Sequence, residues 1–164
     1  MCLDDLKNVL FIQAECYIEV EPESLASLQS RLEISPDTCW VVCEDKQVVA
    51  YLICHPWVED NIPALDTKLK SIPQGAQVFY IHDLAVGIAH RGKGIGQTLV
   101  KETLSYAQNK KYKKAKLIAV QKSLKFWQSF GFQKLNSLSL ENKLTLKTYG
   151  LGSIAMENDF ERKP

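Results

Sequence analysis

Between residues 91 and 97 the chain reads Arg91-Gly92-Lys93-Gly94-Ile95-Gly96-Gln97, placed after an apolar run and before a stretch with helical spacing. Glycine tolerates positive φ and lets the main chain come close to a ligand. At a helix N-terminus the first N–H groups lack intrahelical partners, and the helix dipole favours anions. The segment therefore reads as a cradle for a pyrophosphate, with Arg91 and Lys93 adding positive charge. Two common phosphate loops fail here. The dinucleotide pattern G-x-G-x-x-G needs a glycine where the chain has Gln97 or Leu99. The triphosphate pattern is met at Gly87, Gly92 and Lys93, but Gly94 has no hydroxyl to hold magnesium. A plain tight turn between strand and helix is the alternative.

A second chemistry-bearing residue lies just upstream, in Val78 to Val86. Side chains alternate along a strand, so Tyr80, His82 and Leu84 are expected on one face, with Ile81 and Asp83 on the other. On that reading Asp83 is badly placed to orient His82. With an ordinary pKa of about 6.5, histidine can take a proton from an ammonium near neutral pH, directly or through water. A hydrogen-bonded core histidine is the bland alternative. Trp57, with Tyr17 and Pro22, could wall an apolar substrate pocket, or simply pack in the core.

These residues need elements to hold them. Leu6, Val9, Leu10 and Tyr17 predict a helix over 4–18, and Pro22 with Leu25, Leu28 and Leu32 a second one with proline in its first turn. Thr38–Cys43 and Val48–Cys54 read as a hairpin, with Pro56 ending the second strand. Residues 58–77 read as a surface excursion around a short helical stretch at Leu65 and Leu69. Val78–Val86 is a central strand, a helix follows up to about Asn109, then a strand over Lys116–Val120. A short helix over Ser123–Phe130 ends at Gly131, before the strands of the C-terminal segment. The expectation is a mixed α/β fold, one domain over 1–164.

Composition agrees with a compact domain. The 164 residues are 46% hydrophobic and 24% charged, enough to bury a core without staples. Twenty Lys and Arg against nineteen Asp and Glu leave +1, which argues against a general nucleic-acid binder. Cys2, Cys16, Cys39, Cys43 and Cys54 have no metal-site spacing, so reduced thiols and no metal are expected. Asp4 and Asp5 stand where an export signal would be basic, and no apolar run is long enough to span a membrane. A cytoplasmic location with no membrane partner is the default expectation.

The pattern R-x-x-G-x-G of Arg91, Gly94 and Gly96, after Leu84-Ala85-Val86, resembles the coenzyme A loop of the GNAT superfamily of N-acetyltransferases. From Tyr80 to Phe132 the order of strand, loop, helix, strand and short helix ending in Gly131-Phe132 is similar to that family. Tyr80-x-His82-x-Leu84-Ala85-Val86 and the run from Phe126 to Phe132 look closest to its aralkylamine (serotonin) N-acetyltransferase branch. The resemblance implies acetyl-CoA as cosubstrate along Leu84–Val86 and Gly92–Gln97, including Ile95, with the Leu84 N–H near a bulge as donor to the thioester carbonyl. It also places Ser123 against the pantetheine arm. Three features depart from the family. Its first edge strand is expected to be missing here, or the start site late. Trp127 stands where a tyrosine normally protonates the leaving thiolate, and an indole cannot transfer its proton. Tyr80 replaces one of a histidine pair, which makes it a substitute candidate for that acid, with solvent as the other source.

The implied function is acetyl transfer to a primary amine, a small arylalkylamine being the first expectation, by direct attack on the thioester. Acetylation of a peptide or protein amine, and a non-catalytic acyl-CoA-binding module, stay open beside it. An exposed sheet edge leaves room for a homodimer.

Overall fold

The structure, a computed structural model, describes residues 1–18 and 20–161. A six-stranded mixed sheet separates two layers of helices. In chain order the elements are α1 (Leu6–Cys16), α2 (Leu25–Ile34), β1 (Cys39–Glu44), β2 (Gln47–Trp57) and β3 (Val78–Val86). Then follow α3 (Ile95–Asn109), β4 (Lys114–Ala119), α4 (Leu124–Gln128), β5 (Gln133–Lys134), α5 (Leu140–Leu146) and β6 (Ile154–Asp159). The sheet order is β1-β2-β3-β4-β6-β5, with β3 and β4 parallel and the other pairs antiparallel. Among the described residues no strand precedes α1, and β1 forms the sheet edge on that side.

Burial explains the layering. α1 turns Leu6, Val9, Ile12 and Cys16 inward, and with Leu28 and Leu32 of α2 they cover Tyr51, Ile53 and Ala85 on one sheet face. Leu99, Val100 and Ala107 of α3 cover Leu52, Cys54, Phe79 and Ile81 on the other. The β1–β2 turn needs only Asp45 and Lys46, both at positive φ (48° and 66°), the geometry whose twist matches a two-residue hairpin.

Several boundaries differ from expectation. α1 ends at Cys16, so Tyr17 leaves the helix in extended conformation. α2 starts after Ser24, whose hydroxyl accepts from Ser27 N at 3.3 Å; Pro22 lies outside its first turn. Strand β2 runs through Pro56 to Trp57. Proline is tolerated because β1 begins opposite Ile53, leaving residues 54–57 paired on one side only. The 58–77 segment has no helix. Its amides are spent elsewhere: Leu65 N on the Thr148 hydroxyl, Asp66 N on Glu23 and Leu69 N on the Ser30 hydroxyl. β4 starts two residues earlier than predicted, α4 ends at Gln128, and α5, capped by Ser139, was not predicted.

Candidate active site

The glycine-rich loop has the backbone its composition implies. Gly92 (φ +77°) and Gly94 (φ +82°) are left-handed, and Gly94 is the N-cap of α3. Thr98 N donates to Gly94 O at 3.0 Å, so the N–H groups of Ile95, Gly96 and Gln97 lie in the open first turn. A Cβ at Gly92 would meet nothing within 4 Å, and one at Gly94 only Gln97 Oε1 at 3.9 Å, so the space over the loop is clear. Behind it Gly96 faces protein, its Cβ position at ordinary contact distance, 3.5 Å from Val86 and 3.8 Å from Phe126. Arg91 Nε donates to Val86 O at 3.1 Å.

β3 carries a bulge at His82. Ile53 pairs with Asp83 and Cys54 with Ile81, so His82 is an extra residue opposite no partner. Face alternation therefore breaks. Phe79 and Ile81, then Leu84 and Val86, join the core under α3, whereas Ala85 joins the core under α1 and α2. Leu84 thus does not share a face with Tyr80, and Asp83 is not opposite His82; both expectations assumed unbroken alternation.

On the α1/α2 side His82 Nε2 meets Glu23 Oε2 at 2.5 Å, and Arg31 Nη2 stands 3.4 Å from Glu23 Oε1. The His82 and Arg31 side chains are 0% exposed and that of Glu23 3%. Glu23 Oε1 also accepts from the Ser27 hydroxyl at 2.9 Å and from Asp66 N at 2.8 Å. Burial alone would push the Glu23 carboxyl up, but His82 and Arg31 bring it down to about 2. A carboxylate on Nε2 keeps the ring proton there, and Nδ1, buried without a protein partner, is left with its lone pair. His55 lies nearby, its ring tilted 38° to that of His82 with the centroids 5.9 Å apart, and burial with the neighbouring imidazole lowers it to about 3.

Asp83, released to the same side by the bulge, accepts hydrogen bonds from Tyr17 Oη and from Tyr51 Oη, the latter at 2.6 Å. Burial raises its carboxyl despite those two phenols. This clamp fixes the strand at its irregular point. Neither Glu23 nor this clamp was found in the sequence. The only hint was an acid next to a helix-capping serine, Glu23-Ser24.

A cavity of about 510 Å³ joins these parts. Its lining includes Tyr17, Glu21, Glu23, His82, Leu84–Val86, Arg91, Gly92, Gly94–Gln97, Ser123 and Trp127. Lys93, Tyr80 and Trp57 do not line it. Lys93 points to Glu44 at 3.7 Å. Tyr80 is 2% exposed, its hydroxyl 3.5 Å from that of Tyr149, and burial pushes its phenol up. Trp57 sits edge-on to His55, 5.1 Å between centroids, because β2 carries it beyond the pocket end. Tyr149, unforeseen, does line the cavity, while its hydroxyl donates to Pro63 O at 2.6 Å. Among the described residues no group of three or more His, Cys, Asp or Glu is arranged to hold a metal ion.

The sequence pattern of the acetyltransferase (GNAT) family matches residues 6–132. The chain belongs to the GNAT family. Solved structures agree on the fold. A GphF GNAT-like decarboxylase in complex with isobutyryl-CoA is 15% identical, with a TM-score of 0.80 over 98% of this chain and 97% of that one. The loading GNATL domain of CurA from Lyngbya majuscula is 13% identical, with a TM-score of 0.76 over 99% and 96%. Ard1 from Thermoplasma volcanium is 15% identical, with a TM-score of 0.71 over 99% and 95%. No curated protein matches the chain. Within this GNAT fold, the clear space over Gly92 and Gly94 and the unpaired amides of α3 fit the pyrophosphate of coenzyme A.

Proposed function

We propose that the protein transfers an acetyl group from acetyl-CoA to a primary amine, a small arylalkylamine first among the acceptors. One observation carries this reading: a single cavity is walled both by the anion cradle and by a buried histidine–carboxylate pair. Holding the Glu23 carboxylate and the Arg31 guanidinium out of water is costly, which a simple binding module would have no need to sustain. Acetyl-CoA supplies an activated carbonyl and a thiolate leaving group. Gly94–Gln97 and Arg91 bind the phosphates, and the main chain of Leu84–Val86 takes the pantetheine arm beside Ser123. Beyond the bulge, the Leu84 N–H donates to the carbonyl oxygen as charge develops.

His82 Nδ1 accepts the amine's proton through a water, because the imidazole itself is fully buried. Glu23 holds the ring by Nε2 and stabilises the imidazolium, so it acts as a positioning residue. Among the described residues no free phenol lines the cavity to serve the leaving thiolate. Tyr17 donates to Asp83, Tyr149 to Pro63, and Tyr80 lies off the cavity. Trp127 can donate a hydrogen bond but no proton, so solvent protonates the thiolate.

The test is acetyl-CoA-dependent thiol release against tyramine, tryptamine, a polyamine, a lysine-rich peptide and an N-terminal peptide. Release with arylalkylamines supports the reading. Release only with peptides moves the assignment to protein acetylation, and coenzyme binding with no release moves it to an acyl-CoA-binding module. His82→Gln is expected to lower kcat/KM by roughly 10² or more at neutral pH, with the deficit narrowing at high pH where the amine is already neutral. An unchanged pH profile would remove His82 as the base.

A further inference from the structure

Resting on that reading, we infer that His55 is a positioning residue for the base: its Nε2 and the Trp57 indole N–H hold the water through which His82 takes the proton. The observation is a clustering of unmet polar atoms. Among the described residues, seven buried side-chain nitrogens and oxygens have no hydrogen-bond partner in the protein. Five of them, His55 Nε2, Trp57 Nε1, His82 Nδ1 and Arg31 Nε and Nη2, belong to one contiguous group around Glu23; Thr103 and Gln121 carry the others. Arg31 offers donors alone and faces the Glu23 carboxylate at 3.4 Å. The three ring nitrogens are left, and ordered water is the usual partner of such atoms.

The protonation pattern says how a water fits. A carbonyl only accepts, so the 3.2 Å contact of His55 Nδ1 with Pro56 O puts the His55 proton on Nδ1 and leaves Nε2 a lone pair. Burial and the neighbouring His82 ring hold His55 down to about 3, so it stays neutral. The Glu23 carboxylate puts the His82 proton on Nε2 and leaves Nδ1 bare. Two acceptors on rings 5.9 Å apart cannot bond to each other. A water gives one hydrogen to each, and its oxygen takes the N–H of Trp57, whose ring stands 5.1 Å from that of His55. Three bonds are typical of a buried water. The oxygen's second lone pair is left for the amine. The amine's proton passes to that oxygen as one of the water's own hydrogens passes to His82 Nδ1, so the water is regenerated. The imidazolium then donates from Nδ1 to the same water, which keeps its bond to His55. The other charged or titratable groups facing the two rings are Glu23, Arg31, Asp83 and Tyr80. Glu23 pairs with His82 and not with His55, which fixes the ring that takes the charge.

The test is NMR of the isotope-labelled imidazole and indole nitrogens of the intact protein at mildly alkaline pH, with the pH profile of kcat/KM beside it. The wild type should show His55 protonated on Nδ1, His82 on Nε2, and the Trp57 N–H in contact with a long-lived water. His55→Phe keeps a stacked ring but removes the lone pair. The His82 Nδ1 signal should then shift, and the acid limb of kcat/KM should move down by about one pH unit, because the imidazolium loses its anchored water. His55→Gln, whose amide oxygen accepts from the water, should restore most of both. Lost packing alone would lower kcat/KM evenly across pH and leave the limb in place, which overturns the inference. A His55 ring protonated on Nε2, or an indole with no water contact, overturns it too. If the wild type releases no thiol with any acceptor, the transferase reading falls, and the NMR signals still decide the water site. They also decide it if His55→Phe does not fold.

Discussion

At the scale of single residues, the site is organised by Glu23. Its carboxylate is shared by His82, Arg31, Ser27 and the Asp66 amide, and Arg31 Nε has no hydrogen-bond partner of its own. Removing one partner of a buried ion pair strands the other. Glu23→Gln is therefore expected to destabilise the protein by about 3 kcal/mol, read from urea unfolding at neutral pH. The pH dependence has a definite sign. The Glu23 carboxyl is depressed from its ordinary 4.5 to about 2, so its contribution is complete above about pH 4.5 and is lost as pH falls towards 2. In Glu23→Gln that part of the acid loss should vanish; an equally steep decline between pH 5 and pH 2 would contradict the assignment.

At the scale of elements, two irregularities shape the cavity. One is the bulge in β3, which sends Asp83 to the side of Tyr17 and Tyr51 and leaves the main chain after His82 without a β4 partner. The other is the left-handed N-cap of α3. Its residue must tolerate φ +82°, and a side chain there would have room but a strained backbone. Gly94→Val therefore costs about 1–3 kcal/mol of strain, relieved by distorting the loop. Acetyl-CoA affinity should drop at least tenfold, as measured by calorimetry on variant protein whose circular dichroism is unchanged. Unaltered affinity would refute the loop as the pyrophosphate site.

At the scale of the molecule, the 58–77 segment closes the α1/α2 side by being tied to both ends of the chain. Asp66 Oδ1 accepts from Ser24 N at 2.8 Å, and Thr67 O accepts from Arg31 Nη1 at 2.9 Å. From the C-terminal side, Asn142 Oδ1 accepts from Ile62 N at 2.9 Å, and its Nδ2 donates to Asp60 O at 3.0 Å. Asn142→Ala would orphan a buried amide, at a cost of about 2 kcal/mol. The loss would be local, so limited proteolysis should cut within residues 58–77 faster than in wild type. No change in cleavage would mean that the bonds to Ser24, Ser30 and Arg31 and the contacts with Tyr149 hold the segment without Asn142.

What the chain determined by itself was whatever depends on neighbours in sequence. Glycines at 92, 94 and 96 before a periodic helix specified the cradle, and the apolar run Val78–Val86 specified the central strand, because both rest on local φ preference and side-chain period. Tertiary structure decided the rest. Glu23 meets His82 across 59 positions and Tyr17 meets Asp83 across 66, contacts that no local pattern encodes. The bulge, too, was decided in three dimensions: it exists only as a mismatch between the registers of two strands. That mismatch changed which face the side chains of β3 after His82 serve and brought Asp83 to its phenols, whereas Tyr80, before the bulge, and Trp57, at the end of β2, lie outside the cavity.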